Sequence, residues 1–249
     1  MTSAAPAPLR LSAGDPQTQA LAAGKVVLVL GGEPTPVELT VPAGPVSTQD
    51  ILPVLHGLSQ YLAETGAAKA TAAGRTISCR AGCGACCRQL VPVATSEAHA
   101  LAALVEAMPQ PRRAAVRRRF DDAFEALRAA GMIERLNRMD GPMEALGLDY
   151  FRLGVPCPFL QDEACSIHPD RPLACREYLV TSPAENCRVP SAETIEKVAL
   201  DASPSGALNG AGPNAWLPMI FALGYAEREL PEPRERPAAD VLREIFARL

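Results

Sequence analysis

Eight cysteines constrain this chain more than any other feature, because four of them fall within nine residues. This front group reads CRAGCGACC over residues 79–87, a C-x3-C-x2-C-C pattern with two glycines between the thiols. A single free cysteine is often a buried core residue. A cluster rich in glycine and arginine does not resemble core packing, and its spacing is typical of a metal site.

A second group of four cysteines follows after about 70 residues of mainly helical sequence. Prolines on both sides of Cys157 stiffen its loop. We expect the two groups to meet in space and to act as halves of one site. The candidate metal ligands are Cys79, Cys83, Cys86, Cys87, Cys157, Cys165, Cys175 and Cys187.

The identity of the metal follows less directly from the pattern. Zinc takes four Cys or His ligands, often as paired C-x2-C knuckles, whereas an iron–sulfur cluster is held by thiolates, with short spacings in one segment. Cys79, Cys83 and Cys86 with one remote thiol fit a [4Fe–4S] cluster, which we favour over zinc. Eight thiols could also serve two four-ligand centres. A metal-free switch between Cys86 and Cys87 ranks last, because a disulfide between sequence neighbours is strained.

Composition excludes several other classes of protein. The chain has 249 residues and a net charge of -4, so it is not a general nucleic-acid binder. There is no apolar run of 18 residues and no signal-like start, so we expect no membrane partner and a cytoplasmic location, where eight cysteines do not imply four disulfides. Arg outnumbers Lys 21 to 3, which we interpret as the genomic bias of a bacterium.

Hydrophobic periodicity predicts a mainly α fold with a small N-terminal β-hairpin and irregular cysteine-rich metal-binding loops framed by helices. The predicted segments are a flexible tail (1–22), a hairpin plus helix (23–75), the cysteine-cluster domain (76–190) and a C-terminal helical region (191–249). The hairpin should pair 25–30 with 37–41. Helices are predicted at 48–64, ending before Gly66, at 96–108 and 112–130, and near 191–201, 214–228 and 238–249.

Four linked motifs resemble a known family. After the front group come CPFL at 157–160, CSIHPDRPLACREY at 165–178, and Cys187. Together they are similar to the CxxCxxCC, or YkgJ-like, cysteine-cluster proteins, although the first spacing here is three residues. The resemblance implies a zinc- or iron-chelating domain. Relatives include a flagellin lysine N-methylase, which implies an alternative: a cluster-dependent enzyme such as a protein methyltransferase or a redox enzyme, with a possible protein partner.

The sequence names no general base or nucleophile, so catalytic residues stay unknown. C-x3-C-x2-C is also the spacing of radical S-adenosylmethionine enzymes, but Ala85 precedes the third cysteine and helical sequence follows, which disfavours that class. His168 is predicted to support the ligands or the fold and not to be a ligand itself. Arg88 and Arg176 are predicted, with equal weight, to donate to thiolates or to form surface salt bridges. Arg171 is predicted to shape a turn, and the arginines of 112–119 to form a solvated helix face.

Overall fold

The computed structural model describes residues 7–138, 142–189, 191 and 193–249, and most of its regular structure is helical, as predicted. The strands are β1 (Leu9–Ser12), β2 (Leu21–Leu30), β3 (Glu33–Pro42), β4 (Pro45–Val46), β5 (Pro92–Ala94), β6 (Leu160–Gln161), β7 (Ala164–Cys165), β8 (Trp216–Pro218) and β9 (Arg236–Pro237). The helices are α1 (Thr48–Ala72), α2 (Thr95–Glu106), α3 (Gln110–Ala129), α4 (Met132–Arg138), α5 (Met143–Arg152), α6 (Leu173–Glu177), α7 (Pro204–Leu208), α8 (Ala222–Arg228) and α9 (Ala238–Phe246).

The N-terminal hairpin is part of a three-stranded sheet of order β1-β3-β2. β2 and β3 pair antiparallel around Gly31 and Gly32, whose positive φ values (58° and 86°) suit a two-residue hairpin turn. β1 pairs with β3 in parallel, and it lies inside the segment 1–22 that the sequence predicts to be a tail. Residues 1–6 of that segment lie outside the described residues. Leu11 is buried, so this short strand contributes to the core.

The helix α1 is longer than predicted, because it continues through Gly66 to Ala72. A Cβ at Gly66 would lie 2.8 Å from Leu200 Cδ2 and 3.1 Å from Val198 Cγ1. The glycine therefore permits close packing of the 198–200 segment on the helix and does not end it. At its start, the Asp50 carboxylate accepts hydrogen bonds from the backbone N–H and the hydroxyl of Ser47, both at 2.8 Å.

The predicted helices at 96–108, 112–130 and 238–249 correspond to α2, α3 and α9. The helix predicted near 191–201 is wrong for the described residues of that range. Ile195 N–H donates to Ser191 C=O in a single turn, and residues 196–198 then pair with 179–181. Thr181 N–H donates to Glu196 C=O and Val198 N–H donates to Leu179 C=O, both at 2.9 Å. The 214–228 pattern divides into β8, a 3-10 turn and α8. Strand pairing thus satisfies backbone groups that a helix would otherwise bond internally.

Two large hydrophobic clusters and one small cluster form the core. The first packs the sheet, α1, α7 and α9, and includes Leu28, Leu173 and Ile245. The second packs α2, α3, α4, α5 and α8, with Phe159 from the second cysteine group. Among the described residues, the buried members of the third are Ala85, Val180 and Cys187. Leu173 joins the first cluster from the cysteine region; the division into four segments stays a prediction.

Candidate metal centre

Tight turns shape the front cysteine loop between α1 and β5. Cys83 N–H donates to Arg80 C=O at 3.2 Å, and Cys87 N–H donates to Gly84 C=O at 2.9 Å. Gly82 has a φ of 79°, which is a conformation that other residues rarely adopt. The loop therefore folds back on itself, and its four thiols line the same cavity.

The second group docks directly onto this loop. Cys157 N–H donates to Cys87 C=O at 2.7 Å, so the backbones of the two groups are joined. The β6–β7 hairpin, which ends in Cys165, crosses beside Gly84. The side chain of Arg88 reaches across and pairs with Glu163 at 2.7 Å.

The last two cysteines lie on short helical turns. Cys175 is on α6, whose first residue, Leu173, donates its backbone N–H to the carboxylate of Glu97 at 2.8 Å. Glu97 is only 3% exposed, and it also accepts from Ala94 N–H at 2.9 Å. Cys187 lies in a 3-10 turn, Asn186–Arg188, and is 4% exposed. A buried carboxylate on α2 therefore fixes the backbone that carries Cys175.

All eight cysteines line one cavity of about 330 Å³. This cavity brings the two sequence groups together, including Cys83 and Cys175. In the part of the chain that the structure describes, no three His, Cys, Asp or Glu side chains converge on a single point as ligands of one ion. The thiols surround a volume, and a donor set made of thiols fits both zinc and iron.

Burial sets the ionisation of most of these thiols. It raises the pKa of Cys79 and Cys165, of Cys157 to about 12 and of Cys187 to about 11, and it raises that of Cys175 well above the ordinary value. The neighbours Cys86 and Cys87 differ from each other. A hydrogen bond between their side chains lowers the pKa of Cys86 and raises that of Cys87. Cys86 is therefore the cysteine of this pair that ionises first.

Positive charges and no carboxylates accompany the thiols among the described residues that line the cavity. The cations are Arg80, Arg171 and Lys197, and His168 is also in the wall. Thiolates are the ligands that zinc and iron–sulfur centres require, and they are anionic. The lining therefore has the charge that an anionic centre needs.

Of the two roles that the sequence indicated for Arg88, the structure shows the salt bridge, whereas Arg171 and Arg176 differ from their predicted roles. Arg88 bonds to Glu163 and to Gly84 C=O. The guanidinium of Arg176 donates to Arg171 C=O at 2.9 Å and to Pro169 C=O, so Arg176 is the residue that shapes the turn. The side chain of Arg171, which the sequence assigned to the turn, lines the cavity of thiols instead.

Two arginines of α3 hold the second cysteine group from outside. Arg112 donates to Ser166 C=O at 2.6 Å, and Arg119 donates to Leu160 C=O at 3.0 Å. Arg117, by contrast, pairs with Glu106 and Glu227 on the surface. The predicted solvated face therefore has members that support the β6–β7 hairpin.

A second cavity, of about 420 Å³, adjoins the first and was not predicted from the sequence. Gln89, Leu90, Tyr178 and Lys197 line both cavities. The ammonium group of Lys197 lies 5.4 Å from the centre of the Tyr178 ring, a cation–π contact. No local sequence signal marks this cavity, because its lining comes from separated segments.

The comparisons with known proteins agree with the cysteine geometry. The family model CxxCxxCC, described as "Putative zinc- or iron-chelating domain", matches residues 78–198. No curated protein and no solved structure matches this chain. Among the residues described, no helix is both long enough and apolar enough to cross a bilayer.

Proposed function

The cysteine region of this chain, residues 78–198, belongs to the CxxCxxCC family, and from that premise we propose that the chain binds an iron–sulfur cluster through its clustered thiolates. The observation that carries the proposal is the single cavity lined by all eight cysteines. Metal chelation by zinc or iron is the family's description, and the choice of an iron–sulfur cluster is ours.

The arrangement of the thiols favours a cluster over one zinc ion. A zinc ion takes four ligands, with Zn–S distances of about 2.3 Å, so eight thiols cannot all reach one ion. Thiols that surround a volume of about 330 Å³ suit a polynuclear centre. The members we assign to a [4Fe–4S] cluster are Cys79, Cys83 and Cys86 with one thiol of the second group. A cluster held there supplies one-electron transfer when it is bound.

Zinc is the alternative within the same class, since eight thiols also make two four-cysteine zinc sites. Anaerobic purification, metal analysis and a visible spectrum separate the two. We expect a brown protein that contains iron and acid-labile sulfide and absorbs near roughly 400 nm, as thiolate-bound clusters do. A colourless protein with stoichiometric zinc and no iron refutes the cluster.

Replacement of single cysteines tests the ligand assignment. Cys83→Ser should lose most of the iron, because the thiolate is a ligand and the hydroxyl is a poor substitute. Cys187→Ser is the comparison, since Cys187 belongs to the small third core cluster and we expect it to be a spare thiol. It should keep more of the iron than Cys83→Ser. Full iron content in Cys83→Ser contradicts the role of the front group.

A cluster-dependent enzyme, such as a protein methyltransferase or a redox enzyme, is the second candidate. The second cavity favours it, because Tyr178 and Lys197 line both this cavity and the cavity of thiols. Large pockets with a few polar groups are the usual location of small ligands. Binding of S-adenosylmethionine to the anaerobic protein, measured by equilibrium dialysis, tests the methyltransferase form. Leu148 lines the second cavity and does not line the cavity of thiols, so Leu148→Trp should block that binding and keep the metal. No binding by the wild type excludes this form.

A further inference from the structure

The side chain of Arg171 is free for a role other than building its own turn. The turn before α6 is held by Arg176, whose guanidinium donates to the main-chain oxygens of Arg171 and Pro169. The Nε of Arg171 is buried, and it has no hydrogen-bond partner among the residues that the structure describes. A buried, unbonded guanidinium nitrogen in a native fold calls for an explanation.

The surroundings of Arg171 supply that explanation. Its side chain lines the cavity of thiols, where Arg80 and Lys197 are the other cations of the lining. Arg80 and Lys197 are exposed, whereas Arg171 is half-buried. A charge that is partly removed from water is screened less by solvent and salt, so it acts more strongly on the groups around it.

The charge of Arg171 acts on thiols from both cysteine groups. The cavity that Arg171 lines is also lined by Cys79 and Cys86 of the front group and by Cys165 and Cys175 of the second group. One guanidinium is therefore placed to stabilise thiolates on both sides of the cavity.

We propose that Arg171 is the positioning residue that balances the negative charge of the metal-bound thiolates, and that it thereby strengthens metal retention. The inference rests on the proposed function, because it requires a thiolate-bound centre in this cavity. It gives to Arg171 the support of thiolates that was one of the two roles predicted from the sequence for Arg88 and Arg176. The guanidinium acts through the ligands and is not itself a ligand, since it has no lone pair to donate to a metal.

The test compares four variants of the full chain, purified anaerobically with their native metal. Arg171→Ala and Arg171→Gln remove the charge, and the second keeps most of the length in case the first does not fold. Arg171→Lys keeps the charge. Arg118→Ala removes a charge from an exposed position on α3 and is the matched control. Bound metal is measured by mass spectrometry after challenge with increasing EDTA.

We expect Arg171→Ala and Arg171→Gln to lose half of their metal at roughly tenfold less EDTA than the wild type, as is typical when a group that supports metal ligands is removed. Arg171→Lys should restore most of the resistance, and Arg118→Ala should match the wild type. Because a role limited to the turn would not be rescued by Lys, equal losses in all three Arg171 variants overturn the inference.

Two further outcomes separate this inference from the proposed function. A wild-type protein that contains no metal overturns the proposed function and this inference with it. A metal-loaded wild type whose EDTA resistance is matched by Arg171→Gln overturns this inference alone. Where the centre is an iron–sulfur cluster, its reduction potential should also fall in Arg171→Gln, since a nearby positive charge favours the reduced cluster.

Discussion

Gly84 lies where the two cysteine groups touch, and its replacement by alanine tests how they are joined. An alanine Cβ at this position would lie 2.5 Å from Glu163 O, 2.6 Å from Leu160 Cδ1 and 2.9 Å from the carbonyl carbon of Glu163. Ordinary contacts of a Cβ begin at 3.4 Å. The Glu163 carbonyl would therefore have to move by about 1 Å, and it belongs to the backbone of the hairpin that carries Cys165.

The size of the effect follows from two opposing contributions. Overpacking against backbone costs about 3 kcal/mol, at the upper end of the usual range. Alanine restricts the unfolded chain more than glycine does, which returns about 0.7 kcal/mol. The net loss is about 2 kcal/mol, and for a chain of this size it lowers Tm by about 4–8 °C. Displacement of Cys165 should also reduce the metal content.

Thermal unfolding followed by circular dichroism measures the loss, with metal content determined on the same samples. Gly24→Ala is the matched control, because nothing lies within 4 Å of its Cβ and its position on β2 is exposed. Its Tm should stay within about 2 °C of the wild type, since surface substitutions usually change stability by less than about 0.5 kcal/mol. If Gly84→Ala has the wild-type Tm and metal content, the close docking of the two groups at Gly84 is wrong.

Two other predictions concern pH and metal removal. Burial raises the pKa of Glu97 to about 7 in the folded protein, from 4.5 for the unfolded chain. The folded state then binds more protons between those values, so wild-type stability falls by about 3 kcal/mol as the pH rises through that interval. The free energy of unfolding, measured with urea at pH 5 and pH 8, should not show this fall in Glu97→Gln. If the wild type and Glu97→Gln lose the same stability, the raised pKa of Glu97 is not the cause. Removal of the metal by EDTA should speed hydrogen exchange in 76–91 and 157–187 and leave α1 and α3 protected; an equal rise everywhere argues that the centre supports the whole fold.

The two cysteine groups could be predicted to meet because each group has a recognisable local pattern and the patterns together are typical of one site. Short spacings and glycines describe a loop that folds back, and the second group adds motifs with fixed intervals. The helices α2, α3 and α9 were also predictable, since each has caps or breakers and an apolar stripe. The cysteine pattern does not determine which metal binds, because zinc and iron–sulfur centres accept the same thiolates.

The errors arose where tertiary contacts override local preference. Gly66 is a plausible helix end in the sequence, but it is a packing position against Leu200. Residues 193–201 have a helical pattern, yet the backbone of 196–198 pairs with the segment around Val180. The exchange of roles between Arg171 and Arg176 has the same origin. Both arginines lie beside a cysteine or a proline in the motif, and only the fold decides which guanidinium reaches the thiols.

The front cysteine loop has little hydrophobic material around it, and this determines what the metal can contribute. Among the described residues, the buried members of its cluster are Ala85, Val180 and Cys187. The second cysteine group, by contrast, joins the large clusters through Phe159 and Leu173. Hydrogen bonds add to this support, because Arg119 donates to Leu160 C=O and the Glu97 carboxylate accepts from Leu173 N–H. Hydrogen bonds to charged groups contribute about 1.5–3 kcal/mol each.

Helices of two cores therefore position the backbone around the cavity independently of any ligand, while the loops between these anchors lack such support. Metal binding stabilises the folded form of the segments that supply its ligands. In this chain those are the turns of the front loop that carries Cys79, Cys83 and Cys86, whose small cluster has few buried members among the described residues. Loss of the metal should therefore loosen these turns and leave α1, α2 and α3 packed, because the described buried members of their clusters include no cysteine.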